Sequence, residues 1–587
     1  MSPSSVSADS VLSIEVGSVY TRAVLFDVVE NSYRFLGEGT AFTTAGAPHY
    51  DISEGVRQAL GELQVFSGRV FLGADKQLIL PSQPDGSGVD KCVATLSIGP
   101  PLRVVAVGLL EDVSAQSAQN LAVTTYAQVM EVINMNDRRA TAARLDAVLR
   151  ARPDLIIVAG GTEGGASQSL MNLLEAVGLA CYVLPKGYRP SLLFAGNQAL
   201  VNSVRSSFAD LGPLFIAPNI RPAIEVERLL PAQSQLSQVV RQARLRQIFG
   251  AQNLDQWTGG KLMPTAAAFG RTIRFIGNEY ARTQKGVLGV DVGAASTTIA
   301  AAFSDHLVLN VHPRLGLGES LPGLLSASSL DEIARWLPLE ISNDTLRDYI
   351  FNKAVYPASL PVTLEELSIE HALACQIIQV ALKKTARNFP ADALRSSYGF
   401  LPYFEPIIAS GSVLTQAPQR GQTLMMLLNA IQPAGVTTIA LDQNTIAAAL
   451  GAVASLNPLL TVQSLDSNNF QNLCTVISPV GEAQLGTPIL RVRVVYGDGS
   501  ENSVDIKYGS LEMIKLPIGQ TATVQLHPLH RFDVGMGGPG RSGSVKVVGG
   551  GLGLVVDGRG RPLPLPAEPG RRRDLLKKWL WTLGVSS

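Results

Sequence analysis

Two short segments of this chain combine a strand-ending carboxylate with a glycine turn and hydroxyl side chains: residues 14–22 (IEVGSVYTR) and residues 290–298 (VDVGAASTT). In each, an apolar run ends in an acidic residue, Glu15 or Asp291. Then come x-Gly, small and hydroxyl residues, and a second β-rich run, VLFDVV or IAAAF. A carboxylate at a strand end can hold a water or a magnesium ion, glycine lets main chain approach closely, and turn N–H groups with hydroxyls bind phosphate oxygens. The chemistry these residue types suggest is phosphate binding. Two such hairpins facing each other would close on a nucleotide.

Strands and helices must carry those hairpins. Residues 11–16 and 21–29 read as paired strands, 34–43 as a third, and 51–63 as a helix. From about 73 to 99 the pattern dissolves into Pro, Gly and Ser, marking a boundary. Residues 101–232 then alternate strand and helix, with strands expected at 103–108, 126–133, 155–158, 181–184, 192–195 and 214–217. This is the pattern of a doubly wound α/β domain. Ligands of such sheets bind at the carboxyl ends of the strands, where AGGTEGG (159–165) lies, although a tight strand-to-helix turn explains that motif equally well. KLMPTAAAF (261–269) and a helix near 270–284 lead to the second hairpin. Beyond it lie a glycine turn, RLGLGES (314–320), and a long helix at 367–388. PIIASGSV (406–413) is a buried strand running into Gly411 and Ser412, as needed to set main chain against an adenosine. A strand at 438–441 and a small-residue helix at 445–456 follow. From Thr461 onward short alternating runs, including a hairpin of 490–496 with 503–507, predict a small β-barrel or sandwich. A basic helix with Arg571, Arg572, Arg573, Lys577 and Lys578 ends the chain and reads as a solvated terminal helix.

Composition bounds the function. At 587 residues the chain exceeds a single core, and three or four domains are expected. Forty-eight basic residues balance forty-eight acidic ones, which argues against broad nonspecific nucleic-acid binding. Cys92, Cys181, Cys375 and Cys474 form no C-x-x-C pair and are expected to be core thiols. The six histidines lack H-x-x-x-H spacing, so no zinc site is expected. No apolar run approaches the ~20 residues of a membrane span. The first basic residue is Arg22, so no signal peptide is expected and a cytoplasmic location follows.

The two acidic hairpins and the later IIASGS element occur in the order used by the actin, sugar kinase and heat-shock chaperone superfamily. A narrower set of blocks, VGSVYTRAVLFD, PPLRVVAVGLLEDVSAQSAQNLA, RPDLIIVAGGTEGG, FAGNQAL, IAPNIRPAIEVE, MPTAAAF and LGVDVGAASTT, resembles the MutL family associated with glutamate mutase. That family is unrelated to the mismatch-repair protein of the same name. The resemblance covers about residues 12–456. It implies an α/β fold of two duplicated RNase H-like ATPase lobes (1–90 and 236–460) with the Rossmann-like domain (91–235) inserted between them, and it leaves outside it the β-rich C-terminal domain (461–587) read from the strand pattern. It also implies an accessory or reactivating chaperone that binds ATP and Mg2+ and acts on the subunits of an adenosylcobalamin-dependent mutase, with neither nucleic acid nor membrane as a partner.

Residue by residue, the resemblance places Gly17, Ser18, Thr21 and Arg22 in the first phosphate loop. Gly293, Ser296 and Thr297 fall in the second, and Gly411 and Ser412 in the adenosine element. Asp291 and Glu15 become the metal-water carboxylates, with Asp291 orienting the attacking water. Two positions depart from the superfamily pattern. Glu15 replaces Asp and reaches one methylene further, and displacements of ~1 Å can cost on the order of a hundredfold in rate, so slow hydrolysis is expected. Ala294 replaces Gly and is tolerated only with a negative φ. Two alternatives stay open: a small-molecule kinase of the same fold, which would phosphorylate a sugar or acid, and a nucleotide-independent scaffold.

Overall fold

The computed structural model describes residues 9–165, 167–280, 284–304, 306–396, 398, 401–467 and 469–586. It is a mixed α/β protein with several sheets, and two compact units divide the chain. One takes the residues up to Val28 and Leu36–Ala268, the other Val29–Phe35 and Phe269–Ser587.

The chain opens with β1 (Val11–Val16), β2 (Tyr20–Val29), β3 (Ser32–Phe42) and β4 (Lys91–Leu96). β1 runs antiparallel to β2 and parallel to β4. Leu12, Ile14 and Val16 are fully buried and pack with Val56, Leu60 and Leu63 of the helix Ile52–Ser67. That helix starts where its sequence dictates: the Asp51 side chain accepts the Ser53 N–H at 2.8 Å, and Gly68 closes the other end in the left-handed region.

Inserted after β4 is a five-stranded parallel sheet of β5 (Leu102–Val107), β6 (Ala127–Ile133), β7 (Leu155–Val158), β8 (Ser191–Phe194) and β9 (Leu214–Ile216), in the order β6-β5-β7-β8-β9. Leu236, Val239 and Val240 cover one face while Val148, Leu173 and Val177 cover the other, the arrangement a parallel sheet with buried faces requires. One expected strand is absent. Residues 181–184 were read as β, but Cys181 lies in the helix Ser167–Val183, whose buried Leu170, Leu173, Leu174, Val177 and Cys181 follow helical spacing. A short apolar run does not by itself distinguish the two. AGGTEGG leaves β7 as a sewn turn: Asn219 Nδ2 donates to Gly161 O at 3.0 Å and to Glu163 Oε1 at 2.8 Å. β10 (Met263–Pro264) returns to the first sheet beside β4.

The second unit holds β11 (Gly286–Val292), β12 (Thr297–Phe303), β13 (His306–His312), β14 (Phe404–Ser410), β15 (Gly435–Asp442), β16 (Phe470–Ser478), β17 (Pro488–Tyr496), β18 (Glu501–Lys507), β19 (Leu511–Ile514), β20 (Thr521–Pro528), β21 (Gly543–Val548) and β22 (Leu554–Asp557). An eight-stranded sheet runs β13-β12-β11-β14-β15-β16-β22-β19, and a four-stranded sheet runs β18-β17-β20-β21. The β-rich stretch after Thr461 is therefore shared. β16, β19 and β22 extend the large sheet, while the remaining strands pack on it through Ile477, Leu490, Val492, Val524 and Leu526. One face of β11 and β14 is covered by the helices Leu364–Thr385 and Arg420–Ile431, and the other by the helix Thr265–Glu279. The terminal helix Pro569–Thr582 buries Leu576 and Trp579 and leaves Trp581 exposed, so only part of its surface is solvated. Among the described residues no helix is long and apolar enough to cross a membrane.

Candidate functional site

The two acidic hairpins share a backbone pattern. In the first, Gly17 N–H donates to Tyr20 O at 2.9 Å and Glu15 lies opposite Arg22. In the second, Gly293 N–H donates to Ser296 O at 3.0 Å and Asp291 lies opposite Thr298. On the parallel neighbour each acidic residue is flanked by a hydroxyl residue, Thr95 beside Glu15 and Ser410 beside Asp291. Alternation along a strand fixes this. Ile14 and Val16, like Val290 and Val292, are buried, so the residue between them projects from the opposite face and remains half-buried.

The hydroxyls do different work in the two copies. Thr21 is fully buried and its Oγ1 meets Thr43 Oγ1 at 2.9 Å, while Thr43 Oγ1 donates to Gly17 O at 2.8 Å. Thr21 thus braces its turn, while Gly17, Ser18 and Arg22 are half-buried. Ser296 is 9% exposed at the start of β12, and Thr297 is fully buried with an Oγ1 that meets no hydrogen-bond partner among the described residues.

Around the second hairpin the unit builds a close-fitted surround. Gly411 has φ +97°, and a Cβ there would lie 2.2 Å from Val292 O, so only glycine lets the end of β14 press onto the end of β11. Ser412, next in sequence, is exposed. The glycine turn at 314–320 folds over the hairpin: a Cβ on Gly316 would come within 2.5 Å of Ala294 O, and Ser320 Oγ donates to Ala295 O at 2.7 Å. Ala294 lies outside the positive-φ residues, so the condition for tolerating its methyl is met.

One residue of this surround was missed in the sequence. Asp442 ends β15, is fully buried, and accepts from Ser410 Oγ at 2.9 Å, Ile446 N–H at 2.8 Å and Ala447 N–H at 3.0 Å. It ties the residue beside Asp291 to the start of the helix Ala447–Val453. The available signal was an Asp between an apolar strand and a small-residue helix, the usual setting of a helix-starting acceptor.

Mg2+ keeps several waters and takes only one or two protein carboxylates, and each hairpin by itself, with its single carboxylate beside a hydroxyl residue and a glycine turn, offers oxygen donors of that kind. Among the described residues no three His, Cys, Asp or Glu side chains gather into a metal-holding group. All four cysteines are buried and unpaired; burial raises Cys92 and Cys375 to about 12 and Cys181 to about 11.

The family model described as MutL protein matches residues 11–468. The chain belongs to the MutL family. Protein MutL of Clostridium tetanomorphum is 22% identical over 423 residues, covering 67% of this chain and 88% of that protein. Both hairpins, the inserted sheet, Gly411 and Asp442 fall within the matched MutL region, whereas β16–β22 and the terminal helix lie beyond it. Two solved structures are also similar in part. A diol dehydratase-reactivating factor in nucleotide-free form has 11% identity and a TM-score of 0.28 over 77% of this chain and 100% of its own. Xylulose kinase from Bifidobacterium adolescentis has 11% identity and a TM-score of 0.26 over 77% and 93%. TM-scores this far below 0.5 do not establish a common fold.

Proposed function

We propose that this MutL-family chain is an ATP-binding accessory factor that reactivates an adenosylcobalamin-dependent mutase such as glutamate mutase, working in the cytoplasm. The observation that carries the reading is the repetition of one turn. Glu15 and Asp291 occupy the same register position, with the same Gly N–H closing bond and the same hydroxyl-bearing parallel neighbour. We take this as support for two duplicated ATPase lobes, residues 1–90 and 236–460, with 91–235 inserted and 461–587 as a β-rich addition that docks the mutase.

In this reading Asp291 and Glu15 hold the magnesium and its waters, and Asp291 orients the attacking water. Gly17, Ser18, Thr21 and Arg22 form one phosphate loop, Gly293, Ser296 and Thr297 the other. Gly411 and Ser412 hold the adenosine. ATP with Mg2+ supplies a phosphoanhydride whose binding and loss separate two states of the protein. The chain's residues must bind those states with different free energies, or nothing is done to the partner.

Calorimetric titration with Mg-ATP tests the nucleotide half. Binding to the native chain and loss of affinity in Asp291→Ala are expected, and an unchanged isotherm refutes it. Restoration of activity to a mutase holding damaged cobalamin tests the other half. Phosphorylation of a sugar or acid in a substrate panel would favour a kinase instead, and restoration without nucleotide would favour a scaffold.

A further inference from the structure

Within residues 351–364 six large apolar side chains stand in solvent: Phe351, Val355, Tyr356, Leu360, Val362 and Leu364, each between 50% and 86% exposed. They belong to the end of the helix Asn343–Val355, the loop 356–363 and the start of the helix Leu364–Thr385. Single exposed apolar residues are ordinary, but a cluster of them marks an interaction surface. The loop that carries them is braced. Buried Lys353 pairs with Glu370 at 2.5 Å and donates to Ser359 O, and Glu370 also accepts from Tyr349 Oη at 2.9 Å. Glu366 Oε2 accepts Val362 N–H at 2.7 Å, and Pro357 packs so near the glycine turn at 314–320 that a Cβ on Gly318 would lie 2.9 Å from its Cβ. Fixed main chain therefore holds the apolar side chains outward.

Charge decides what fits this surface. Residues 343–370 carry Asp344, Asp348, Glu365, Glu366 and Glu370 against only Arg347 and Lys353. Both bases face acids of the same segment, Lys353 on Glu370 and Arg347 on Asp344 at 3.0 Å. Helical spacing sets Asp344, Asp348, Phe351 and Val355 along one stripe, and Glu365 follows Leu364 in the first turn of its helix. Asp348 and Glu365, both exposed, thus border the apolar cluster with negative charge. A second copy of the same surface, or an anionic membrane, would set like charge against like. An apolar face edged by Lys and Arg meets both features. We propose that the surface at 351–364 docks a partner protein through such a face, of the kind an amphipathic basic helix offers. None of its residues belongs to either hairpin or to 461–587, so it stands apart from the nucleotide reading.

Fluorescence anisotropy of a labelled helical peptide of leucine and lysine, its leucines on one face, tests it, with the same peptide carrying glutamate for lysine as control. The full chain should bind the lysine peptide about fivefold or more tightly than the glutamate one, and added salt should narrow the difference. The triple variant Val355→Ser, Leu360→Ser and Val362→Ser should lose about tenfold or more of that affinity. Should it fail to fold, Asp348→Lys with Glu365→Lys, at two exposed positions, should reverse the preference between the peptides. Equal binding of the two peptides, binding of neither, or indifference of the folded variants overturns the proposal. Self-association of the native chain in sedimentation, abolished by the triple variant, also overturns it, because a second copy would then cover the surface. Capture by phosphatidylcholine vesicles, abolished in the same way, would give that place to lipid.

Discussion

Replacing Gly411 by alanine separates backbone conformation from close approach. The residue sits at φ +97° and ψ 143°, a region almost confined to glycine, where another residue costs about 1–3 kcal/mol. The added Cβ would also lie 2.2 Å from Val292 O, a main-chain atom with no rotamer by which to escape. Overpacking of that kind costs about 1–3 kcal/mol more. Gly519→Ala is the control: its φ is +77°, but a Cβ there meets nothing within 4 Å, so only the left-handed penalty of about 1–2 kcal/mol applies. Urea unfolding followed by the fluorescence of buried Trp336 and Trp579 reports the unit that contains both glycines. Gly411→Ala should lose clearly more stability than Gly519→Ala. Relief of the contact from 2.2 Å to an ordinary 3.4 Å moves the strand ends apart by more than 1 Å. Displacements of ~1 Å at a reacting centre cost on the order of a hundredfold. If the proposed ATPase reading holds, hydrolysis should therefore fall in the first variant and persist in the second. Equal loss of stability in the two would refute the claim that Gly411 is required by the approach of β14 to β11.

The buried Asp557 salt bridges give a second test. Burial would raise its carboxyl, but Arg559 and Arg561, at 2.8 and 2.7 Å, override that and hold it far below the usual carboxylate range. A depressed carboxylate stabilises the fold above its unfolded pKa of about 3.9 and loses that contribution as pH falls further. Asp557→Asn should therefore cost about 3–5 kcal/mol at neutral pH and flatten the acid limb below about pH 4; an unchanged limb counts against it. His312 and His371 are held neutral by burial at about 4, with Lys384 adding to the effect at His312. The unfolded chain then binds more protons between about pH 6.5 and 4, so stability should fall as pH drops through that window. His371→Gln should shallow the fall, and an identical pH profile would contradict the assignment. Thr297→Val removes a buried hydroxyl that meets no partner among the described residues. The melting temperature should hold or rise while ATP affinity falls, and a marked drop in melting temperature would show that the hydroxyl has a structural role.

Strands announced themselves where alternation and glycine punctuation were strong. Residues 155–158 coincide with β7, and the hairpin of 490–496 with 503–507 is found as β17 and β18. Asp51 marked a helix start because its side chain caps locally. Pairing was less legible. Nothing in the sequence of β22 says that it lies parallel to β16, because its partner is 79 residues away at Thr475↔Leu554 and register is set by packing. The same limit hid Asp442. Its three donors come from two elements, and one of them, Ser410, is 32 residues distant. The Thr21 hydroxyl was equally opaque, since the bond that turns it inward depends on Thr43 of the next strand.

The departure at Glu15 carries the most consequence for the proposed cycle. Its hairpin is as regular as the second: Glu15 faces Arg22, and the turn closes from Gly17 to Tyr20. The backbone therefore offers no compensation for the longer side chain, and the carboxylate must fold back or reach past the position an Asp would take. Glu15→Asp shortens that reach without touching the buried neighbours Ile14 and Val16. If hydrolysis is slow because the carboxylate overshoots, the substitution should raise turnover by up to about a hundredfold while leaving the melting temperature and ATP affinity near their native values. A single-turnover phosphate-release assay separates this from tighter binding. Turnover unchanged or reduced in Glu15→Asp would mean that the longer side chain is the working length, and the rate would then have to be limited by something other than reach.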